Sequence, residues 1–123
     1  MTKAPKNKKY DLEERTAKFA EEVIDLCKSL KVTSYNRRII EQLIASAGSI
    51  GANYAEASEA ESKRDFRHKI AICKKETQET KHWLRLLVRT NSEIKQKAKP
   101  LWKGAHELLL IFSKSLKTSK KSK

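Results

Sequence analysis

The sequence predicts an all-α protein folded as an up-down-up-down antiparallel four-helix bundle. Its 123 residues suffice for one domain with a single core. The chain has only three Gly and two Pro, and its many Lys, Glu, Leu, Ile and Ala residues favour helix. Four segments carry apolar residues at three- and four-residue spacing, separated by short turn-forming stretches. An antiparallel bundle is the simplest arrangement of four such helices.

The first predicted helix begins at Asp11, with Glu14 placed three residues later as in a capping box. The stretch VTSYN, residues 32–36, ends it, because two β-branched residues are mixed there with turn and cap formers. Between them the apolar stripe consists of Leu12, Phe19, Val23, Cys27 and Leu30.

The second predicted helix, residues 36–60, combines an apolar stripe with a neighbouring stripe of small residues. The apolar stripe is Ile40, Leu43, Ala47, Ile50 and Tyr54, and the small stripe is Ala45, Gly48, Ala52 and Ala55. Gly48 and Gly51 each cost about 1 kcal/mol relative to Ala inside a helix, so they need a packing or functional reason. We expect another helix to pack closely here. A phosphate-binding loop is not favoured, because GSIG lacks the length and the GK[ST] ending of a P-loop.

The third predicted helix begins at Ser62, a cap residue with Asp65 three residues later. Its seam has an unbroken 4-3-4-3-4-3 spacing that is typical of helical bundles: Phe66, Ile70, Cys73, Thr77, Thr80, Leu84 and Leu87. TNS, residues 90–92, separates it from the fourth helix. That helix has the stripe Ile94, Ala98, Leu101, Ala105, Leu108 and Phe112. Pro100 marks either its first turn or a kink.

The bundle is expected to span residues 10–117, with disordered basic tails at residues 1–9 and 118–123. No apolar run reaches the roughly 20 residues that span a bilayer, and the first residues lack the apolar core of a signal peptide. We therefore expect a cytoplasmic protein that does not contact membranes. Cys27 and Cys73 occupy apolar helix positions, which predicts reduced core cysteines.

The net charge of +13 is concentrated in the second half of the chain. Residues 1–61 carry 10 basic and 10 acidic residues, whereas residues 62–123 carry 18 and 5. Such asymmetry indicates a polyanionic partner, and the phosphates of a nucleic acid are the leading candidate. The predicted nucleic-acid-binding residues lie along the third helix: Lys63, Arg64, Arg67, Lys74, Lys75, Lys81, Arg85 and Arg89.

The sequence does not favour an enzyme, a metal site or a cofactor. Di-metal bundles use two Glu-x-x-His pairs, and only Glu79 with His82 has that spacing here. No G-x-S-x-G motif is present. Glu76 and Glu79 border the seam, so we expect them to be paired, and Asn53 and Glu56 could complete a polar layer with them. The alternative to such a polar layer is that these residues simply face solvent.

Three segments make the chain resemble a known bacterial family: SAGSIGANYAEA (residues 46–57), SKRDFRHKI (residues 62–70) and KKETQETKHWLRLL (residues 74–87). The family is the four-helix-bundle, S23-like proteins encoded within intervening sequences of 23S ribosomal RNA genes. The motif positions that this chain shares are Gly48, Gly51, Asn53, Glu56, Glu76, Glu79 and Trp83.

The resemblance implies an antiparallel bundle that assembles into a ring, commonly a homopentamer, without established catalytic activity. The chain is also similar in fold and charge to the accessory proteins of diversity-generating retroelements, which implies a reverse transcriptase as a possible partner. Two functions therefore stay open beside the disfavoured metal-dependent enzyme. One is a nucleic-acid-binding oligomer, and the other is a scaffold that docks an acidic protein. The apolar residues left over for assembly are Ile44, Trp83, Trp102 and Leu109.

Overall fold

The computed structural model describes residues 11–121 as a bundle of four helices. They are α1 (Leu12–Lys28), α2 (Arg37–Ser58), α3 (Lys63–Thr90) and α4 (Lys95–Lys121), and a 3₁₀ turn at Ser92–Ile94 precedes α4. No strand occurs within this range, so the predicted helical-bundle fold is confirmed.

The structure differs from the predicted helix boundaries mainly in the last helix, at its start and at its end. α4 continues to Lys121, so residues 118–121, which were predicted to belong to a tail, are helical. The predicted tail at residues 1–9 lies outside the described residues, as do residues 122 and 123. Pro100 lies inside α4, which begins at Lys95, so it does not mark the first turn.

The core contains most of the four predicted stripes, of which Leu30 and Tyr54 are only half-buried, and it also contains Leu26 and Ala57. α3 packs against both α2 and α4, while α1 packs mainly on α2. The α3 seam is buried except for half-buried Phe66, and every predicted stripe residue of α4 is buried. The largest side chains with almost no exposure are Phe112, Leu43, Ile50, Ile70, Leu84, Leu87 and Leu108.

The two predicted helix caps differ. Ser62 has extended backbone angles, φ −142° and ψ 158°, and its side chain accepts a hydrogen bond from the Asp65 amide at 3.0 Å. This confirms the predicted start of α3. Asp11 precedes α1 with φ −104° and ψ 14°, and its side chain makes no capping hydrogen bond. The predicted capping box at Asp11 is therefore wrong, because a capping side chain needs the extended backbone that Asp11 lacks.

The two glycines of α2 have different surroundings. A Cβ atom added at Gly51 would lie 3.0 Å from Oγ1 of Thr16, so Gly51 allows α1 to approach α2 closely. A Cβ atom added at Gly48 would meet nothing within 4 Å. The expected close helix approach is thus present at Gly51 and absent at Gly48 within one chain.

A buried asparagine ties together the two turns at one end of the bundle. Asn36 is 0% exposed, and its Oδ1 accepts from the Thr33 amide at 2.7 Å. Its Nδ2 donates to the Lys31 carbonyl at 3.0 Å and to Oδ1 of Asn91 at 3.1 Å. The turn between α1 and α2 is thereby joined to the turn between α3 and α4.

We expect Asn36→Ala to lower the free energy of unfolding by about 2–4 kcal/mol, because it removes a fully buried amide and three part-buried hydrogen bonds that the amide makes. The matched control is Asn53→Ala on α2. Asn53 is half-buried and its Nδ2 donates to the Ser49 carbonyl of its own helix, so we expect a loss below about 1 kcal/mol. Urea unfolding followed by circular dichroism measures both. Equal losses would contradict the linking role of Asn36.

Candidate nucleic-acid interface

Most of the predicted basic residues of α3 lie on the side of the helix that faces α4. Five of them recur at intervals of four or seven residues and therefore share one helical face: Lys63, Arg67, Lys74, Lys81 and Arg85. Contacts of Lys81 with α4 orient this face. The other three predicted residues, Arg64, Lys75 and Arg89, lie on the adjoining outward face and are exposed.

The first turns of α4 extend this basic surface. Lys95, Lys99 and Lys103 are exposed and follow one another at four-residue intervals. Glu107 is the one acidic residue in the range of α4, and it forms an ion pair with Arg15 of α1. We call the surface formed by the five α3 residues and these three lysines the basic α3–α4 face. Sequence reasoning missed the α4 lysines, although their spacing was the signal that could have found them.

Lys81 is engaged by two aromatic rings of α4. Its Nζ lies 4.2 Å from the centroid of the Trp102 ring and donates to Nδ1 of His106 at 2.9 Å. The Trp102 and His106 rings are stacked, with centroids 5.6 Å apart and an angle of 8° between their planes. Lys81 is half-buried, whereas Lys75 is exposed. The predicted site residues are therefore not equally available to a ligand.

Arg67 is also partly enclosed. The residue is half-buried, and its Nε is a buried donor with no hydrogen-bond partner in the described part of the chain. Lys74 is half-buried as well. The exposed cations of the predicted set are thus Lys63, Arg64, Lys75, Arg85 and Arg89.

The family-motif residues of α3 lie on its other side, toward α2. Glu76 and Trp83 are half-buried and Glu79 is exposed. Trp83 is packed against the core, and its Nε1 is buried without a hydrogen-bond partner within residues 11–121. Two residues of the expected polar layer, Asn53 and Glu56, make other contacts. Glu56 pairs with Lys69 of α3, and Asn53 bonds to its own helix.

Burial perturbs the acid–base chemistry of this side of α3. Desolvation, together with the nearby charge of Glu79, raises the pKa of Glu76, while Lys75 acts in the opposite direction. The fold therefore favours the protonated form of this carboxyl group.

Cys27 and Cys73 are free and buried, as predicted for reduced core cysteines. Burial raises the pKa of Cys27 to about 11 and that of Cys73 to about 12, so both thiols stay protonated near neutral pH.

Residues 11–121 bring together no group of three or more His, Cys, Asp or Glu residues that could hold a metal ion. Within the same range no helix is both long and apolar enough to span a bilayer.

The comparisons with known proteins agree with this fold. The family model described as "23S rRNA-intervening sequence protein" matches residues 8–114. The chain belongs to this family. A crystal structure at 1.70 Å of a protein with unknown function, from the S23 ribosomal protein family of Bacteroides thetaiotaomicron, is 30% identical in sequence. The match has a TM-score of 0.74 and covers 85% of this chain and 97% of that one. No curated protein matches the chain.

We expect Glu76→Gln to raise the free energy of unfolding at pH 7, because Gln removes a charge that the half-buried site disfavours. The folded-state pKa is raised, so the folded protein binds this proton more tightly than the unfolded chain does. The gain from Gln should therefore be present above the raised pKa and disappear as the pH falls through it toward 4. Urea titrations at several pH values measure this effect. Exposed Glu79→Gln is the control, and an equal gain in both variants would contradict the role of burial.

Proposed function

We propose that this protein is a non-enzymatic, oligomeric bundle that binds nucleic acid through phosphate contacts on the basic α3–α4 face. The observation that carries the proposal is the segregation of charge on α3. Apart from Lys69, which pairs with Glu56 of α2, its bases lie toward α4 and outward, while Glu76 and Glu79 lie toward α2. A surface of one sign attracts a polyanion and concentrates it near the protein. The family's description, which refers to a ribosomal RNA intervening sequence, is consistent with an RNA ligand.

The proposed ligand is recognised by its charge rather than by its base sequence. Lys and Arg side chains on a helical face reach phosphates, and such contacts carry no direct sequence information. Copies of the face in an oligomer would bind one strand with greater avidity than a single face. A cytoplasmic location, in which ribosomal RNA is accessible, follows from the same proposal.

The proposed oligomer uses the outward face of α2, where Ala45, Gly48 and Ala52 are all exposed. Three adjacent small residues with free space around Gly48 leave room for the backbone of another subunit to come close. Of the leftover apolar residues, Ile44, Trp83 and Leu109 are half-buried, while Trp102, which is 41% exposed, lies on α4 within the basic α3–α4 face and not at this α2 surface. A ring of five subunits is the arrangement that the family resemblance favours.

The combined variant Lys74→Ala, Lys75→Ala and Lys81→Ala removes two cations of the basic α3–α4 face and exposed Lys75 beside it, and it should weaken binding similarly for unrelated sequences. It should also flatten the plot of log affinity against log salt by about 0.7 for each single-strand phosphate that the protein no longer neutralises. Fluorescence anisotropy with labelled RNA and DNA at several salt concentrations measures both effects.

The matched control removes three exposed lysines from α1 and the turn after it: Lys18→Ala, Lys28→Ala and Lys31→Ala. Both variants lose three positive charges, so an equal change in the salt slope would show that net charge, and not this face, is responsible for nucleic-acid binding. Weaker binding confined to one sequence would indicate base recognition and contradict the proposal. Wild-type protein that binds an acidic protein but no bare nucleic acid would favour the scaffold alternative.

Gly48→Leu should reduce the oligomer to smaller species while helix content is retained, because the added side chain meets no atom of its own chain near the Cβ position. Light scattering at micromolar concentration gives the mass, and the wild type should exceed the 14.1 kDa of one chain several-fold. Ala71→Leu, at an exposed position of α3, is the control and should keep the wild-type mass. A wild-type mass near 14.1 kDa would overturn the ring.

A further inference from the structure

An exposed aromatic ring lies within the basic α3–α4 face. Trp102 is 41% exposed, although tryptophan side chains are usually well buried. Its neighbours in sequence, Lys99 and Lys103, are exposed cations. An apolar ring surrounded by positive charge is not explained by phosphate contacts alone.

The ring is held in place by its contacts with Lys81 and His106. Lys81 lies 4.2 Å from the Trp102 ring centroid, and the imidazole of His106 is stacked parallel to the indole. The ammonium group can only donate, so Nδ1 of His106 accepts the 2.9 Å hydrogen bond and the neutral ring carries its proton on Nε2. An aromatic ring fixed in this way loses little side-chain freedom when a ligand stacks on it.

Further cations flank the ring along the direction of the helices. Arg85 follows Lys81 by one turn on α3, and Lys99 precedes Trp102 by about one turn on α4. Because α3 and α4 run in opposite directions, both lie toward the same end of the bundle. Both are exposed. Phosphates of a strand that crosses Trp102 would therefore meet positive charge from both helices beside the ring.

We propose that Trp102 is a stacking platform for an unpaired base, so that the basic α3–α4 face binds single-stranded nucleic acid in preference to duplex. Lys81 and His106 occupy part of the indole, and a base stacks on the part that remains exposed. Single-strand binding sites combine a basic surface with aromatic side chains, because every unpaired base offers a π-face. In a duplex those π-faces are covered by neighbouring base pairs. The inference rests on the proposed function and specifies its ligand class.

The first test compares Trp102→Leu and Trp102→Phe on a single-stranded oligonucleotide of about eight nucleotides, close to the size of one site, and on a duplex of the same sequence. Trp102→Leu should weaken single-strand binding about fivefold or more and change duplex binding less than about twofold. Trp102→Phe should recover most of the affinity, because it restores an aromatic face. Circular dichroism checks that each variant is folded.

The second test keeps Trp102 intact. The chain has two tryptophans, so Trp83→Phe leaves Trp102 as the single indole fluorophore. Its emission should be quenched when the single-stranded oligonucleotide binds and change little with the duplex. Quenching by both ligands to the same extent would overturn the preference.

The failures of the two proposals can be distinguished. If the wild type binds both nucleic acids with steep salt dependence and neither Trp102 variant alters either affinity, the stacking platform is wrong and phosphate binding stands. If Trp102→Leu weakens the binding of both ligands equally, the ring supports the structure of the face and does not stack with bases. If the wild type binds neither ligand, both proposals fail.

Discussion

The buried seam of α3 is the constraint on which the rest of the bundle depends, because both α2 and α4 pack against this helix. The seam contains two fully buried threonines that would destabilise the core without hydrogen bonds. Thr77 donates to the Cys73 carbonyl at 2.7 Å. Thr80 Oγ1 lies 2.9 Å from Oγ of Ser46 on α2 and 2.8 Å from the Glu76 carbonyl. Each hydroxyl also bonds to a carbonyl of its own helix, and the Thr80–Ser46 contact adds a buried link that favours one alignment of α2 along α3.

Once the seam is fixed, the remaining surface of α3 has two sides with different chemistry. The side toward α4 carries bases, and the side toward α2 carries Glu76, Glu79, the half-buried Trp83 and one base, Lys69, that is paired with Glu56. In the proposed assembly, subunits meet along the small residues of α2, away from the α4 side. The basic α3–α4 face then stays accessible in every subunit. Assembly and nucleic-acid binding can coexist because one helix separates the two surfaces.

The sequence predicted those features of the fold that depend on neighbours along the chain. The spacing of the α3 seam and the cap at Ser62 are local patterns, and both are confirmed. Features that depend on distant residues could not be predicted in this way. The Asn36–Asn91 hydrogen bond joins residues 55 positions apart. Likewise, helix propensity treats Gly48 and Gly51 alike, and the position of Thr16 on α1 shows that only Gly51 lies at a close helix contact.

The same limit applies to the candidate site, where helical spacing predicted the row of bases on α3 but not the rings that contact Lys81. This contact changes the role of that lysine. Its ammonium group already lies over the Trp102 ring and donates to His106, so it has fewer free donors for phosphate than exposed Lys75. Lys81 therefore acts mainly as a positioning residue for the indole.

Exposed cations supply an attraction that salt screens, whereas stacking on a fixed ring depends much less on salt. The basic α3–α4 face thus combines two separable contributions to binding, and only the second requires an unpaired base.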